Sequence, residues 1–175
     1  MKRLLTTEQI EDGVNRLAAE LGGFYAGRAV TIIGVLNGSI VFLADLIRRL
    51  DLPLRVGLVQ ASSYRGRATE PADLRVDLAM MPDIEGRHVL LIDDIFDTGH
   101  TLAKLMAHLR EAQPLSVRSA VLLRKLGRKA VSMEPDHVVF EIPNAFVVGY
   151  GLDYCDAYRN LPYVAVLEDG DFERR

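Results

Sequence analysis

Short apolar runs that alternate with helical patterns are the feature that most constrains the fold of this chain. The runs lack polar alternation and occupy residues 30–36, 54–59, 89–92, 117–123, 146–150 and 163–167. After the first and third runs, apolar residues recur at helical spacing, at Ile40, Leu43, Ile47 and Leu50 and at Leu102, Leu105, Met106 and Leu109. Strands buried on both faces and separated by helices are typical of a parallel sheet. The sequence therefore predicts an α/β domain with a twisted, mainly parallel sheet flanked by helices.

A capping box predicts the start of the first helix. Thr6 and Gln9 have the spacing at which each side chain satisfies the other residue's backbone N–H. Apolar residues then fall on one helical face, at Ile10, Val14, Leu17 and Leu21. The pair Gly22-Gly23 is expected to end this helix, because glycine is common just past helix ends.

Composition and charge narrow the class of protein. The 175 residues suit one domain over 1–175, and we expect residues 168–175 to form a loose polar tail. With 21 Lys and Arg against 24 Asp and Glu, the formal charge is 21 − 24 = −3, which argues against a broad nucleic-acid-binding face. Cys155 is the sole cysteine, so no internal disulfide can form and a reducing cytoplasm is the expected compartment.

No segment is expected to enter a membrane. Residues 30–44 are 15 residues without a charge, short of the roughly 20 that span a bilayer. Near the N-terminus, Glu8 comes too early for the apolar core of a signal peptide. The sequence therefore predicts a protein without a membrane partner.

The segment that carries most chemical information follows the third apolar run. The run ends in Asp93 and Asp94, and residues 97–101 then lead into a helix. Carboxylates suit sugar hydroxyls and Mg²⁺, whereas a turn at a helix N-terminus favours a phosphate. The alternative interpretation is a capped helix, in which Asp97 or Thr98 is the N-cap residue. That alternative does not explain the other two acids, which repel Asp97 unless a cation or polyhydroxyl ligand lies between them.

Two nucleotide-binding patterns and one signalling pattern fit less well. A P-loop needs a Gly-Lys pair, which occurs nowhere in the chain. A dinucleotide-binding fold needs G-x-G-x-x-G after the first strand, where residues 34–39 read Gly-Val-Leu-Asn-Gly-Ser. A signalling receiver domain is expected to carry its acid pair after the first strand, and here the pair comes midway along the chain.

Several segments resemble one known family, in that family's order. Residues 93–101, Asp-Asp-Ile-Phe-Asp-Thr-Gly-His-Thr, resemble the phosphoribosyl pyrophosphate (PRPP) motif of type I phosphoribosyltransferases. Residues 36–39 resemble the pyrophosphate loop, and residues 62–64 resemble the start of the mobile catalytic loop. Residues 146–154 and 159–163 resemble the purine-binding end of the hypoxanthine-guanine branch.

The resemblance implies a fold and a reaction. The fold is the type I phosphoribosyltransferase sheet with a small hood formed by terminal segments. The reaction is purine salvage, in which a 6-oxopurine displaces pyrophosphate from PRPP, with Mg²⁺ as cofactor, to give IMP or GMP. The family also implies a homodimer or homotetramer. Preference among hypoxanthine, guanine and xanthine stays open at this point.

The resemblance assigns the PRPP side of the site. Asp93 and Asp94 would hold the ribose hydroxyls and the Mg²⁺ on PRPP. The 5′-phosphate loop would consist of Asp97, Thr98, Gly99, His100 and Thr101. Asp97 would also be the catalytic acid/base at purine N7.

Pyrophosphate and lid contacts are implied in the same way. Asn37, Gly38 and Arg159 would contact pyrophosphate, and Ser63 and Tyr64 would begin the lid. Asn37 stands where the family often has Lys or Arg, so the backbone N–H groups of Gly38 and Ser39 are expected to bind instead.

The purine side is implied at four positions. Lys125 would donate to the purine 6-oxygen, Phe146 would stack on the base and the Val147 carbonyl would read its edge. Asp153 would bind near the purine and supply a second metal-site acid. From periodicity alone Phe146 is better interpreted as a core residue, and Lys125 as one of a solvated basic pair with Arg124.

A second hypothesis has a different function on the same fold, an RNA-binding transcriptional regulator. Such a protein needs a clustered basic face. The charge of −3 and the scattered Lys and Arg favour the enzyme and predict no nucleic-acid partner.

Overall fold

Three α-helices and nine β-strands build the protein, as seen in a computed structural model that describes residues 1–63 and 74–171. In chain order they are β1 (Lys2–Leu5), α1 (Thr7–Tyr25), β2 (Val30–Leu36), α2 (Ile40–Ile47), β3 (Arg55–Ser63), β4 (Leu74–Asp77), β5 (His88–Phe96), α3 (His100–Glu111), β6 (Ser116–Lys125), β7 (His137–Ile142), β8 (Val147–Val148) and β9 (Val164–Val166). A short 3-10 turn, Asp169–Asp171, follows β9.

The large sheet has six strands in the order β4-β3-β2-β5-β6-β7. Strands β3, β2, β5, β6 and β7 are parallel to one another, and β4 pairs antiparallel with β3 at the edge of the sheet. One face packs against α1 and α2 through residues such as Ile32 and Leu90, and the other packs against α3 through Ile33 and Leu91. The prediction of a mainly parallel sheet flanked by helices is confirmed.

A second, smaller sheet comes from both ends of the chain. It has three antiparallel strands in the order β1-β9-β8, and it is the hood that the resemblance implied. The apolar runs at 146–150 and 163–167 contribute β8 and β9, so they do not extend the parallel sheet. The reason is their connection: residues 149–163 form turns and bridges, without the crossover helix that usually joins two parallel strands.

Helix α1 starts as predicted and ends later than predicted. The Thr6 hydroxyl accepts from the Gln9 N–H at 3.2 Å, and the Gln9 side chain accepts from the Thr6 N–H at 2.9 Å. The helix continues through Gly22 and Gly23 to Tyr25, so the predicted end was wrong. Leu21 and Tyr25 are both buried in the core, and this burial outweighs the penalty of about 1 kcal/mol that each helical glycine carries.

The end of the described chain and the helices bear on two further predictions. Asp171 lies against the N-terminal amine and also accepts from the Glu168 N–H at 3.0 Å, within the segment that was expected to be a loose tail. Residues 172–175 of that segment lie outside the described residues. In the described part of the chain, no helix combines the length and apolar character needed to cross a membrane.

Candidate active site

The carboxyl ends of β2 and β5 open into a cavity of about 340 Å³. This position agrees with the rule that ligands of parallel α/β sheets bind beyond the carboxyl ends of the strands. Ten of the residues assigned from sequence line the cavity together: Asn37, Gly38, Asp93, Asp94, Asp97, Thr98, Gly99, Thr101, Asp153 and Arg159. The fold therefore brings most of the residues that were assigned to PRPP into one cavity.

Other assigned residues lie elsewhere or are not described. His100 is exposed at the start of α3 and does not line this cavity. Lys125 borders a neighbouring cavity of about 370 Å³ that shares Phe96 with the first. Tyr64 lies outside the described residues, and the side chain of Ser63 is not described either.

Asp93 and Asp94 form an acidic ledge at the end of β5. The carboxylate of Asp93 accepts from the Asp94 N–H at 3.0 Å, and that of Asp94 accepts from the Ile95 N–H at 2.8 Å. Neither carboxylate makes an ion pair with any residue in the described ranges. Burial raises the pKa of both groups, and the neighbouring Asp94 charge raises that of Asp93 further. Two adjacent carboxylates without an ion-pair partner, Asp93 buried and Asp94 half-buried, favour the approach of a cation.

The donor set of the ledge fits Mg²⁺ that arrives with its substrate. Within residues 1–63 and 74–171, no group of three or more His, Cys, Asp or Glu side chains could hold a metal ion by itself. Mg²⁺ in phosphate-transfer sites is commonly held by one or two carboxylates, with substrate oxygens and water as the other ligands. Asp93 and Asp94 match that arrangement, whereas Asp153 pairs with Arg159 at 2.8 Å.

The loop after β2 packs closely on the ledge. The Asp94 carboxylate lies directly against Gly38, which leaves no room for a Cβ there. The peptide bond between Leu36 and Asn37 is cis. The Ser39 N–H donates to the Val35 carbonyl at 3.3 Å, and its hydroxyl donates to the same oxygen at 2.6 Å. The Ser39 N–H is therefore already engaged by the Val35 carbonyl of β2, which disfavours the expectation that it binds pyrophosphate.

The turn that leads into α3 is shaped for an anion. Gly99 is the N-cap residue, with φ of 88°, and no side chain caps the helix. A Cβ at Gly99 would collide with Phe96 and Val131. The first N–H groups of a helix have no partner within it, and Thr98, Gly99 and Thr101, around the start of α3, line the cavity. The alternative in which Asp97 or Thr98 caps the helix was wrong.

Asp97 is instead held by two cations. Its carboxylate lies 3.2 Å from Lys125 Nζ and 2.8 Å from Arg128 Nε. Burial raises the pKa of Asp97, but the hydrogen bonds from Arg128 and Lys125 outweigh burial and leave that pKa below its usual range. The carboxylate is therefore ionised at neutral pH, which is the form that can accept a proton.

Arg128 is the contact that sequence reasoning missed. It lies three residues after Lys125, across a turn in which Gly127 has φ of 72°. Arg128 belongs to no motif that the sequence analysis used, so only its distance to Asp97 identifies it.

Phe146 presents an aromatic surface at the edge of the small sheet. It is 45% exposed, so the interpretation of Phe146 as a core residue was wrong. Its ring meets Tyr154 edge-on, with centroids 5.6 Å apart and planes at 87°. Val147 is buried in β8 and pairs with Val166. An exposed ring beside a second aromatic is a suitable surface for a planar base.

Comparison with known proteins identifies similar sequences and folds. The family model for the phosphoribosyl transferase domain matches residues 1–155. The hypoxanthine-guanine phosphoribosyltransferase of Streptococcus pneumoniae is 40% identical over 168 residues, which cover 96% of this chain and 93% of that protein.

Solved structures give the same result for the fold. The crystal structure of the hypoxanthine phosphoribosyltransferase from Staphylococcus aureus has a TM-score of 0.90 at 38% identity, covering 96% of this chain and 91% of that one. The Trypanosoma cruzi hypoxanthine phosphoribosyl transferase, studied for the role of its C-terminal region in oligomeric state and activity, has a TM-score of 0.91 at 37% identity, covering 98% and 93%.

Proposed function

This chain belongs to the phosphoribosyl transferase family, among the hypoxanthine-guanine phosphoribosyltransferases, and we propose that it transfers the phosphoribosyl group of PRPP to hypoxanthine or guanine. The products are IMP or GMP and pyrophosphate, which makes it an enzyme of purine salvage. The observation that carries the proposal is the acidic ledge, Asp93 and Asp94, beside the anion-shaped turn in one cavity. A sugar that carries both hydroxyls and phosphates needs both features side by side.

On the PRPP side, each element has one task. Asp93 and Asp94 accept from the ribose hydroxyls and hold PRPP with its Mg²⁺. Residues 97–101 surround the 5′-phosphate, and the Gly38 loop and Arg159 face the pyrophosphate. Bound Mg²⁺ supplies positive charge that offsets the negative charge building on the leaving group. Because Asn37 is uncharged, Arg159 is the main protein cation for that group in the described part of this cavity.

On the purine side, Asp97 is the group that takes or holds the proton at N7. Its lowered pKa keeps it in the basic form, and positioned proton transfer contributes roughly 10²–10⁴-fold to rate. Lys125 leaves Asp97 and donates to the purine 6-oxygen, while Phe146 stacks on the base and the Val147 carbonyl reads its edge. An ammonium cannot accept a hydrogen bond from the 6-amino group of adenine, so adenine is excluded.

The first test is a spectrophotometric assay with PRPP, Mg²⁺ and each of hypoxanthine, guanine, xanthine and adenine. We expect turnover of hypoxanthine or guanine and little turnover of adenine. Turnover of adenine alone would contradict the role of Lys125. An absence of turnover, together with a salt-dependent RNA gel shift, would favour the RNA-binding regulator, which the formal charge of −3 does not favour.

Assembly and location complete the proposal. We infer a homodimer or homotetramer from the family, and light scattering after size-exclusion chromatography tests it.

The cytoplasm is the inferred compartment, because Cys155 is free and exposed, as a reducing environment allows.

A further inference from the structure

A partly buried hydrogen bond ties the turn beside the pyrophosphate loop to helix α2. Tyr150 is 6% exposed, and its hydroxyl donates to Asp45 Oδ2 at 2.7 Å. We propose that Tyr150 and Asp45 are a positioning pair, which holds the turn at residues 149–151, and through it Arg159 and Asp153, in place for the pyrophosphate group of PRPP. This inference rests on the proposed function, since it names further residues on which that site depends.

The backbone of the turn explains why a side-chain anchor is needed. Gly149, Tyr150 and Gly151 have φ of 95°, 50° and 99°, three consecutive residues in the left-handed region. Glycine adopts such φ values readily, but a residue with a Cβ and a large ring does so rarely. Tyr150 is held there by its own N–H, which donates to the Leu161 carbonyl at 2.8 Å, and by the hydroxyl bond to Asp45.

The turn at residues 149–151 contacts the active site in two places, at Arg159 and at the Gly38 loop. Arg159 donates to the Gly151 carbonyl at 2.8 Å and pairs with Asp153 at 2.8 Å. The Gly151 Cα packs on the Gly38 carbonyl so closely that a Cβ would collide with it. A shift of this turn would therefore move Arg159, Asp153 and the Gly38 loop together.

Asp45 is a fixed anchor because Arg49 contacts both Asp45 and helix α1. Arg49 donates to the Asp45 carbonyl at 2.8 Å and lies 3.7 Å from Asp45 Oδ1. Arg49 also donates to Asn15 at 2.6 Å and lies 3.6 Å from Glu11, both on α1. Helix α2 itself begins at Ile40, immediately after the pyrophosphate loop. The bond from Tyr150 therefore links the turn to the helix that carries the opposite side of the same subsite.

The experiment compares Tyr150→Phe with Tyr25→Phe. Tyr25 is also buried, and its hydroxyl has no hydrogen-bond partner among the described residues. Both variants therefore lose a tyrosine hydroxyl, but only Tyr150→Phe loses a hydrogen bond with it. For Tyr150→Phe we expect the KM for PRPP and the Kd for magnesium pyrophosphate, from calorimetry, to rise about three- to tenfold, as for loss of one partly buried hydrogen bond. The KM for the purine should change less. Tyr25→Phe should leave all three constants at the parent values.

Variants of the anchor separate positioning from general loss of stability. Asp45→Ala should raise the KM for PRPP as Tyr150→Phe does, and the double variant should be no worse than either single variant. Asp45→Asn keeps an acceptor oxygen and should restore the KM to near the parent value. If Tyr150→Phe does not fold, the comparison of Asp45→Ala with Asp45→Asn decides the question alone.

Failure of this inference is distinguishable from failure of the proposed function. A parent chain without PRPP-dependent purine turnover overturns the proposed function and this inference with it. A parent chain with turnover, in which Tyr150→Phe and Tyr25→Phe have equal KM values for PRPP, overturns this inference alone. Equal increases in the PRPP and purine KM values would also overturn it, because they indicate a general structural role.

Discussion

Asp97 is engaged by both Lys125 and Arg128, so the role proposed for Lys125 at the purine requires Lys125 to leave that contact. Lys125 has only 13% of its side chain exposed, whereas Arg128 has 45%. The Arg128 contact, at 2.8 Å, is nevertheless shorter than the Lys125 contact, at 3.2 Å, and its hydrogen bond lowers the pKa of Asp97 more than the hydrogen bond from Lys125 does. Arg128 can therefore stay close to Asp97 as a movable counter-charge while Lys125 turns to the base.

Asp97→Asn tests the role of the carboxylate. The amide keeps the shape but cannot take a proton, so we expect kcat to fall roughly 10²–10⁴-fold with little change in the KM for PRPP. Steady-state kinetics with each substrate varied measure both constants, and Asp12→Asn, on the exposed face of α1, is the matched control. Equal losses in kcat and in PRPP affinity would point to a binding role instead.

Arg128→Gln tests how the pKa of Asp97 is set. Burial raises that pKa, and the Arg128 and Lys125 hydrogen bonds lower it below the usual range, so removing Arg128 raises it. A higher pKa leaves fewer ionised carboxylates at acid pH, and the acidic limb of kcat/KM should move to higher pH. The pH–rate profile is compared with that of Arg110→Gln, an exposed arginine in the last turn of α3. An acidic limb at the same pH in both variants would contradict this account.

At the residue scale, the sequence predicted which side chains enter the site better than what they contact there. Asp93, Asp94 and Asp97 stand in one short motif, so their common location follows from local order. The contacts of Asp97 are 28 and 31 positions away, with Lys125 and Arg128, and only the fold brings them together. The exposure of Phe146 also depends on the edge of the small sheet, which periodicity does not reveal.

At the scale of elements, the site depends on how closely two strand ends approach. β2 and β5 are neighbours in the sheet, so the loop after β2 lies beside the acidic ledge near the carboxyl end of β5. Gly38 allows that approach, because the Asp94 carboxylate occupies the space a Cβ would need. Contact between these two strand ends therefore decides the shape of the cavity for PRPP.

Gly38→Ala should prevent the close contact between the loop after β2 and the Asp94 carboxylate. The added methyl group must displace the Asp94 carboxylate, and overpacking of this kind costs about 1–3 kcal/mol, so the KM for PRPP should rise roughly ten- to hundredfold. Gly22→Ala is the matched control, because a Cβ at Gly22 in α1 has no neighbour within 4 Å. The control should keep the parent KM and gain up to about 1 kcal/mol in stability. A normal KM for PRPP in Gly38→Ala would show that the ledge does not need this close contact.

Element boundaries and edge strands were the part of the fold that local patterns predicted least well. The pattern identified β2, β3, β5 and β6, whose apolar runs are long and continuous. β1, β4 and β7 went unpredicted because they are short or carry charged and polar residues, as in His137–Ile142 at the edge of the sheet. Edge strands need fewer apolar residues, since one side of the ladder faces outward.

At the scale of the whole molecule, the two sheets supply different parts of one site. The large sheet carries Asp93 and Asp94, and the connection between β8 and β9 of the small sheet carries Asp153 and Arg159. The sequence predicted both groups of residues, but their meeting depends on pairing between β1 and β9, which lie at opposite ends of the chain. No local sequence pattern indicates a pairing between two segments this far apart in the chain.

The acidic ledge should also make the stability of the whole molecule depend on substrate. The buried Asp93 carboxylate beside the half-buried Asp94 carboxylate destabilises the fold without substrate, so Asp93→Asn should raise the Tm by about 2–4 °C for each kcal/mol of relieved repulsion. In the parent chain, PRPP with Mg²⁺ at about 100 times its Kd should add about 2.7 kcal/mol, or roughly 5–10 °C. Asp93→Asn should lose most of that ligand-induced shift, whereas Asp12→Asn should retain it. Differential scanning calorimetry with and without PRPP and Mg²⁺ measures each value, and an equal ligand-induced shift in Asp93→Asn and the parent would contradict the assignment of the ledge to PRPP.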